Sequence, residues 1–262
     1  MTAPIGAPCW ADLWTSDVDS SRRFYSGLLG REAQEPSPEF GGHFMFHRGG
    51  VPVAGDMGDM GHTGDMGDMK ADDRWKVYLA SADAAATVDS TASNGGAVQM
   101  PQIPIADLGK QAVLLDSTGA TVGAWEAGRF PGFTVLAEPG TPAWFELLAR
   151  SHDSGLTFYR SVFGWETEVV ADTDEFRYSI MVDRDDRLPL AGIMDASSLL
   201  GDGTPSHWTI YWAVADIDSA ASEVVRLGGA VVAEPQDSPH GRVATVTDPS
   251  GGEFRLHSPL PS

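Results

Sequence analysis

The sequence predicts an α+β chain of two tandem domains, each a pair of β-α-β-β-β units. Three recurrences carry this. WADLWTSDVDSSRRFYSGLLG, Trp10 to Gly30, returns as WFELLARSHDSGLTFYRSVFG, Trp144 to Gly164; Trp75-Lys-Val-Tyr78 returns as Trp208-Thr-Ile-Tyr211; and Asp116-Ser-Thr-Gly119 returns as Asp248-Pro-Ser-Gly251. The offsets of 134, 133 and 132 residues are nearly constant, so the halves match along almost their whole length. A repeat of that size is a duplicated domain and too long for a solenoid unit. We divide the chain into domains at 1–130 and 143–262, joined by a linker at 131–142.

Each copy opens with an alternating strand that starts on Trp and carries a carboxylate two residues later, Asp12 or Glu146. An amphipathic helix follows, marked by Phe24-Tyr25 or Phe158-Tyr159, and ends on Gly30 or Gly164, where a left-handed cap suits glycine. Asp17 and Asp19 can cap the first helix, read over 20–29. Short strands are expected at 32–36, 42–48 and 51–55, with Gly41-Gly42 as a turn. From Gly55 to Met69 four Gly-Asp-Met triplets flank His62-Thr63. Glycine at every third place costs too much backbone entropy for a regular element, so the stretch reads as a mobile flap. Its carboxylates are hard ligands and its thioethers soft, which argues against a metal site there.

The second unit is read as a strand at 74–81, a helix at 83–93 closed by Asn94-Gly-Gly96, and strands at 97–100, 111–116 and 120–126. Residues 131–142, PGFTVLAEPGTP, read as an extended linker. The second domain repeats the order: strand 143–150, helix 153–163, strands at 165–170, 176–182 and 187–193, an irregular stretch, strand 207–214, helix 218–227, and strands at 230–234, 242–247 and 252–258.

Composition narrows the function. A chain of 262 residues with 42% hydrophobic content suits two globular cores, and no apolar run reaches the roughly 18 residues of a membrane span. The N-terminus lacks a signal-peptide layout, so the expected location is the cytoplasm, with no membrane partner. A net charge of −20 leaves no basic stripe for nucleic acid. The single cysteine, Cys9, excludes an intramolecular disulfide and a thiolate cluster, and its place before a strand suits a buried structural thiol. A monomer or homodimer is expected.

Four such units, with Phe-Tyr in the unit-opening helices and Asp-Pro-Ser-Gly before the last strand, resemble the vicinal oxygen chelate superfamily of glyoxalases, bleomycin-resistance proteins and extradiol dioxygenases. The likeness covers residues 8–128 and 142–260 and is nearest to the two-domain bacterial glyoxalase-like type. It implies that each pair of units curls into a cup-shaped mixed sheet. It also implies a metal held from the first strand, the fifth strand and the last. Those places fall on Trp10, Lys76 and Gly123 in the first domain and on Trp144, Thr209 and Arg255 in the second. None is a usual ligand, so no metal and no cofactor are expected.

Strand alternation then gives the side chains that share each cup. They are Trp10, Asp12, Trp14, Lys76, Tyr78, Gly123 and Trp125 in the first domain. In the second they are Trp144, Glu146, Leu148, His207, Thr209, Tyr211, Arg255 and His257. Such a lining suits an aromatic or polycyclic small molecule, although Trp and Tyr on a half-buried strand are also ordinary core residues. One reading is a metal-independent binder that sequesters an antibiotic or secondary metabolite, as bleomycin-resistance proteins do. Another is a cofactor-independent tailoring enzyme, an isomerase, cyclase or lyase. In that case Glu146 or His257 is the acid or base, and Arg255 or Tyr211 stabilises an oxyanion. A third is a metalloenzyme with the non-standard ligands Glu146, His207 and His257. The second domain is the expected working site, because carboxylate, His, Arg and Tyr share its face.

Overall fold

A computed structural model describes residues 3–58 and 71–260. The first unit comprises β1 (Pro8–Trp14), α1 (Val18–Leu29), β2 (Glu32–Ala33), β3 (Phe44–Arg48) and β4 (Val51–Met57). The second is β5 (Arg74–Ala80), α2 (Ala84–Ser93), β6 (Ala97–Ile105), β7 (Gly109–Leu115) and β8 (Thr121–Ala127). The third is β9 (Pro142–Ala149), α3 (His152–Phe163), β10 (Glu166–Asp172), β11 (Arg177–Val182) and β12 (Pro189–Asp195). The fourth is β13 (His207–Ala213), α4 (Ile217–Arg226), β14 (Ala230–Ser238), β15 (Gly241–Thr247) and β16 (Glu253–Ser258). Two eight-stranded mixed sheets result, ordered β2-β3-β4-β1-β5-β8-β7-β6 and β10-β11-β12-β9-β13-β16-β15-β14. The α+β class and the tandem pairing of units are therefore present, and the element order is the expected one.

Local chemistry sets the helix ends. Asp17 accepts a hydrogen bond from the Ser20 amide at 2.9 Å and starts α1; Gly30 and Gly164 close α1 and α3 at φ of 61° and 68°. The strands depart from expectation in three places. β6 and β14 run on to Ile105 and Ser238, through Pro101, Pro104 and Pro235. Both are edge strands with shifts of register, the setting in which a missing N–H is harmless. β4 continues through Gly55-Asp56-Met57, so the first Gly-Asp-Met triplet is strand and not flap. Residues 59–69 of the expected flap lie outside the described residues. The segment 131–141 is bent and not extended, with Gly132, Ala137 and Gly140 at φ of 88°, 61° and 89°. No helix among the described residues is long and apolar enough to cross a membrane.

Packing gathers the chain into two compact units that are not its sequence halves. One holds the described residues of Met1–Trp10, Lys76–Phe133 and Trp144–Thr209; the other those of Ala11–Trp75, Thr134–Ala143 and Ile210–Ser262. A buried relay fastens each of them. In the second compact unit Trp75 Nε1 donates to the Tyr25 hydroxyl at 3.1 Å, and that hydroxyl donates to Asp248 Oδ2 at 2.9 Å. In the first, Trp208 Nε1 donates to the Tyr159 hydroxyl at 2.8 Å, which donates to Asp116 Oδ2 at 2.9 Å. The remaining carboxylate oxygens hold the Asp-x-x-Gly turns: Asp116 Oδ1 accepts from the Thr118 and Ala120 amides, and Asp248 Oδ1 from those of Ser250 and Gly252. Burial and the facing carboxylate push both tyrosine pKa values well above the ordinary range, so the O–H remains a donor.

Tyr25→Phe and Tyr159→Phe each strand a tryptophan N–H and a carboxylate oxygen in the core. Each is expected to lower stability by about 1–3 kcal/mol in urea denaturation, the cost of buried polar groups left without partners. Unchanged midpoints would refute the importance of the relays.

Candidate functional site

Alternation along β1 and β4 separates two faces of the first β-α-β-β-β unit. On the helix side Asp56 is fully buried, and the Ser21 hydroxyl of α1 donates to its Oδ2 in a short hydrogen bond. Burial raises the Asp56 pKa from 3.8 to about 7, opposed by the Ser21 hydrogen bond. On the opposite face Asp12 is buried, and its Oδ1 lies 3.2 Å from His43 Nε2. Asp12 stands in register with Gly55, where a Cβ would fall 1.9 Å from Asp12 Oδ1 and 2.6 Å from His43 Nε2. Only glycine leaves room for this pair. The net effect on His43 is a raised pKa: desolvation opposes it, but the charge and hydrogen bond of Asp12 outweigh that cost.

The third unit repeats the arrangement with other side chains. Glu146, buried on β9, stands in register with Gly192 of β12. A Cβ at Gly192 would lie 2.0 Å from the Tyr178 hydroxyl and 3.2 Å from Trp144 Nε1. That indole donates to the Tyr178 hydroxyl at 3.1 Å, and the Tyr178 ring stacks on Phe176 with centroids 5.7 Å apart and planes 10° apart. Phe176 is 47% exposed, and Trp144 and Tyr178 are half-buried, so the three rings form an open aromatic surface.

The other residues singled out in the sequence fall as follows. Tyr211 and Arg255 come together: they are in register on β13 and β16, Arg255 Nη1 donates to the Tyr211 hydroxyl in a short hydrogen bond, and the guanidinium lies 5.0 Å from the ring centroid. His257 Nε2 sits 2.8 Å from the His240 carbonyl, and His207 Nδ1 3.0 Å from that of Pro205, so each imidazole has one nitrogen engaged by backbone. Thr209 is buried, and its hydroxyl has no hydrogen-bond partner among the described residues. Trp10 and Trp125 are covered by Phe130, which meets Trp10 edge-on at 4.7 Å and accepts from Trp125 Nε1 at 3.0 Å through its carbonyl. The Tyr78 ring fills the space left by Gly123, its partner in register. Trp14 and Lys76 are buried. Cys9 is buried, its thiol donates to the Tyr78 carbonyl, and burial pushes its pKa up, so it is inert as a nucleophile.

His43, Tyr178 and Phe176 were not singled out in the sequence. For His43 the signal existed: in a strand whose Phe44 and Phe46 face the core, residue 43 faces the other way. For Tyr178 and Phe176 it did not, since their value lies in a cross-strand meeting with Trp144.

The comparisons agree with this architecture. A glyoxalase-like domain family matches residues 144–257. The CFP32 protein of Mycobacterium tuberculosis (strain CDC 1551 / Oshkosh) is 35% identical over 259 residues, 98% of this chain and 96% of that one. The chain belongs to the glyoxalase-like branch of the vicinal oxygen chelate superfamily. The anthracycline biosynthesis protein DnrV of Streptomyces peucetius is 34% identical over 259 residues, covering 96% of this chain and 92% of DnrV. Among solved structures, the 2,3-dioxygenase LapB of Pseudomonas sp. KL28 superposes with a TM-score of 0.65 at 12% identity, over 100% of this chain and 94% of that one. The Mn(II)-bound glyoxalase of Novosphingobium aromaticivorans gives 0.64 at 15%, over 98% and 83%. These two share the fold.

The superfamily's metal is a poor fit to the residues present. Its six usual places hold two indoles, an ammonium, a guanidinium, a hydroxyl and a glycine, whereas a divalent ion needs carboxylate, imidazole or thiolate donors. Among the described residues no group of three or more His, Cys, Asp or Glu side chains could hold an ion.

The buried Asp56 has a consequence for stability. Its folded-state pKa of about 7 exceeds the ordinary 3.8, so the unfolded chain ionises first as pH rises. The Asp56 contribution to stability is then full below about pH 4, falls up to about pH 7 and is flat above. Asp56→Asn removes this titration and is expected to gain on the wild type as pH rises from 4 to 8 in urea denaturation. Parallel pH profiles would show that Asp56 ionises normally.

Proposed function

We propose that the chain binds a planar, polycyclic secondary metabolite of the anthracycline kind on the aromatic face of its second domain, 143–262, without a metal or other cofactor. The observation that carries the reading is the open set of Phe176, Tyr178 and Trp144, braced by one hydrogen bond and floored by Gly192. Stacked aromatic pairs add about 0.5–1.5 kcal/mol each beyond area burial, so a fused ring system meeting three rings gains affinity without charge. The buried Glu146 supplies a polar group at the floor, able to accept from a ligand hydroxyl. Relatives named for anthracycline biosynthesis support the ligand class. Within the same reading, residues 1–130 form the other domain and 131–142 the linker.

A second reading draws on the Arg255–Tyr211 contact. A guanidinium donating to a phenol oxygen sets a cation beside an O–H donor, the kind of pair that would stabilise an enolate or other oxyanion in a cofactor-independent isomerase, cyclase or lyase. His257 would take part only through Nδ1, since Nε2 faces the His240 carbonyl.

Trp144→Ala is expected to weaken anthracycline binding by about 2 kcal/mol, roughly thirtyfold, in titration calorimetry. Glu146→Gln is expected to leave that affinity within a few-fold. Unchanged affinity in both Trp144→Ala and Tyr178→Ala would end the binding reading. Intact affinity with turnover slowed about a hundredfold in Glu146→Gln would favour the enzyme.

A further inference from the structure

We infer that the first domain holds a second small-molecule site, in which His43, oriented by Asp12, accepts the proton of an acidic hydroxyl, phenol or enol, on a planar ligand. The inference is independent of the aromatic face of the second domain and concerns residues that the binding reading does not use.

The geometry is that of a built pair. Asp12 is buried on β1, and its Oδ1 meets His43 Nε2 at 3.2 Å over the bare backbone of Gly55. A carboxylate opposite Nε2 fixes the neutral ring with its proton on that nitrogen, which leaves Nδ1 as the acceptor. The His43 side chain is 21% exposed while that of Asp12 is 7% exposed, so the ring is the member of the pair that a ligand can reach. Trp14, two residues along β1, lies on the same face as Asp12.

The charged groups acting on the ring are Asp12 and, from β4, Asp56, both of which favour the protonated form. The step balances simply. The ligand O–H breaks, its proton joins Nδ1, and an imidazolium held by Asp12 faces the oxyanion that remains. No oxidant, reductant or metal takes part. A core histidine without such a purpose would gain nothing from a carboxylate whose own burial is unfavourable.

The probe is 4-nitrophenol, whose phenolate absorbs in the visible and whose phenol does not, with nitrobenzene as the control that lacks the hydroxyl. At a pH about one unit below the probe's own ionisation, wild-type protein is expected to raise the phenolate fraction several-fold, and the Trp144→Ala variant equally. His43→Gln should abolish the rise, and Asp12→Asn should reduce it several-fold, while nitrobenzene binds all of these alike. Gly55→Ala, whose new Cβ would intrude on the pair, should behave as His43→Gln does. In a pH titration of wild-type protein the imidazole ¹⁵N resonances of His43 should keep their protonated positions to higher pH with the probe bound than without it, a readout that needs no variant. A phenolate rise that survives His43→Gln, that vanishes in Trp144→Ala, or that never appears would overturn the inference; the second would assign the signal to the second domain, and none of the three counts against the second-domain reading, which rests on anthracycline affinity.

Discussion

Two buried tyrosine hydroxyls set the arrangement on which the rest of this structure depends. Tyr25 and Tyr159 each accept from an indole N–H and donate to an aspartate whose other oxygen holds a tight turn. Every polar atom of the relay is satisfied by another member, so none carries the penalty of an unpaired group in the core. The relay also decides which units pack together. Tyr25 stands on α1 of the first β-α-β-β-β unit and Asp248 in the last turn of the fourth; Tyr159 stands on α3 of the third and Asp116 in the last turn of the second. Compact units therefore join the first unit with the fourth and the second with the third, across the sequence halves.

This use of the helix side leaves the opposite face of the strands open to divergence. In each copy a glycine in register with the opening carboxylate, Gly55 beside Asp12 or Gly192 beside Glu146, keeps a small gap. The copies fill it differently. One places an imidazole against the carboxylate; the other places a phenol and an indole against each other and adds a stacked phenylalanine. A single duplicated frame thus presents a titratable pair and an aromatic surface. Superfamily membership accounts for the frame, while the side chains on it differ between the copies.

The duplication made most of the frame legible, because Phe-Tyr, Trp-x-x-Tyr and Asp-x-x-Gly recur at nearly one spacing. What those markers do was not legible: the partner of Tyr25 lies 223 residues away, a tertiary fact that no local pattern carries. Pro101, Pro104 and Pro235 read as strand breakers, yet on edge strands with bulges their missing N–H costs nothing. The triplet repeat disguised Asp56, whose strand position appears only once β4 is paired with β1. At the candidate site, alternation placed Asp12 on one face of β1 and Trp144 with Glu146 on one face of β9. The side chains that complete them, His43 from just before β3 and Tyr178 from β11, arrive across the sheet, and cross-strand register is set by bulges and turn geometry rather than by residue type. Tyr211 and Arg255 were placed together by alternation on two parallel strands, and there the reading needed only strand pairing.

The claim at the centre of this account is that the open rings of the third unit receive a fused aromatic ligand. Proton and nitrogen chemical-shift mapping of the isotope-labelled protein, titrated with an anthracycline, tests it most directly. The account expects the largest changes at the Trp144 indole N–H and in the Tyr178 and Phe176 rings, with ring-current shifts that saturate together at one affinity. Changes confined to other residues, with those three resonances unmoved at saturation, would contradict it.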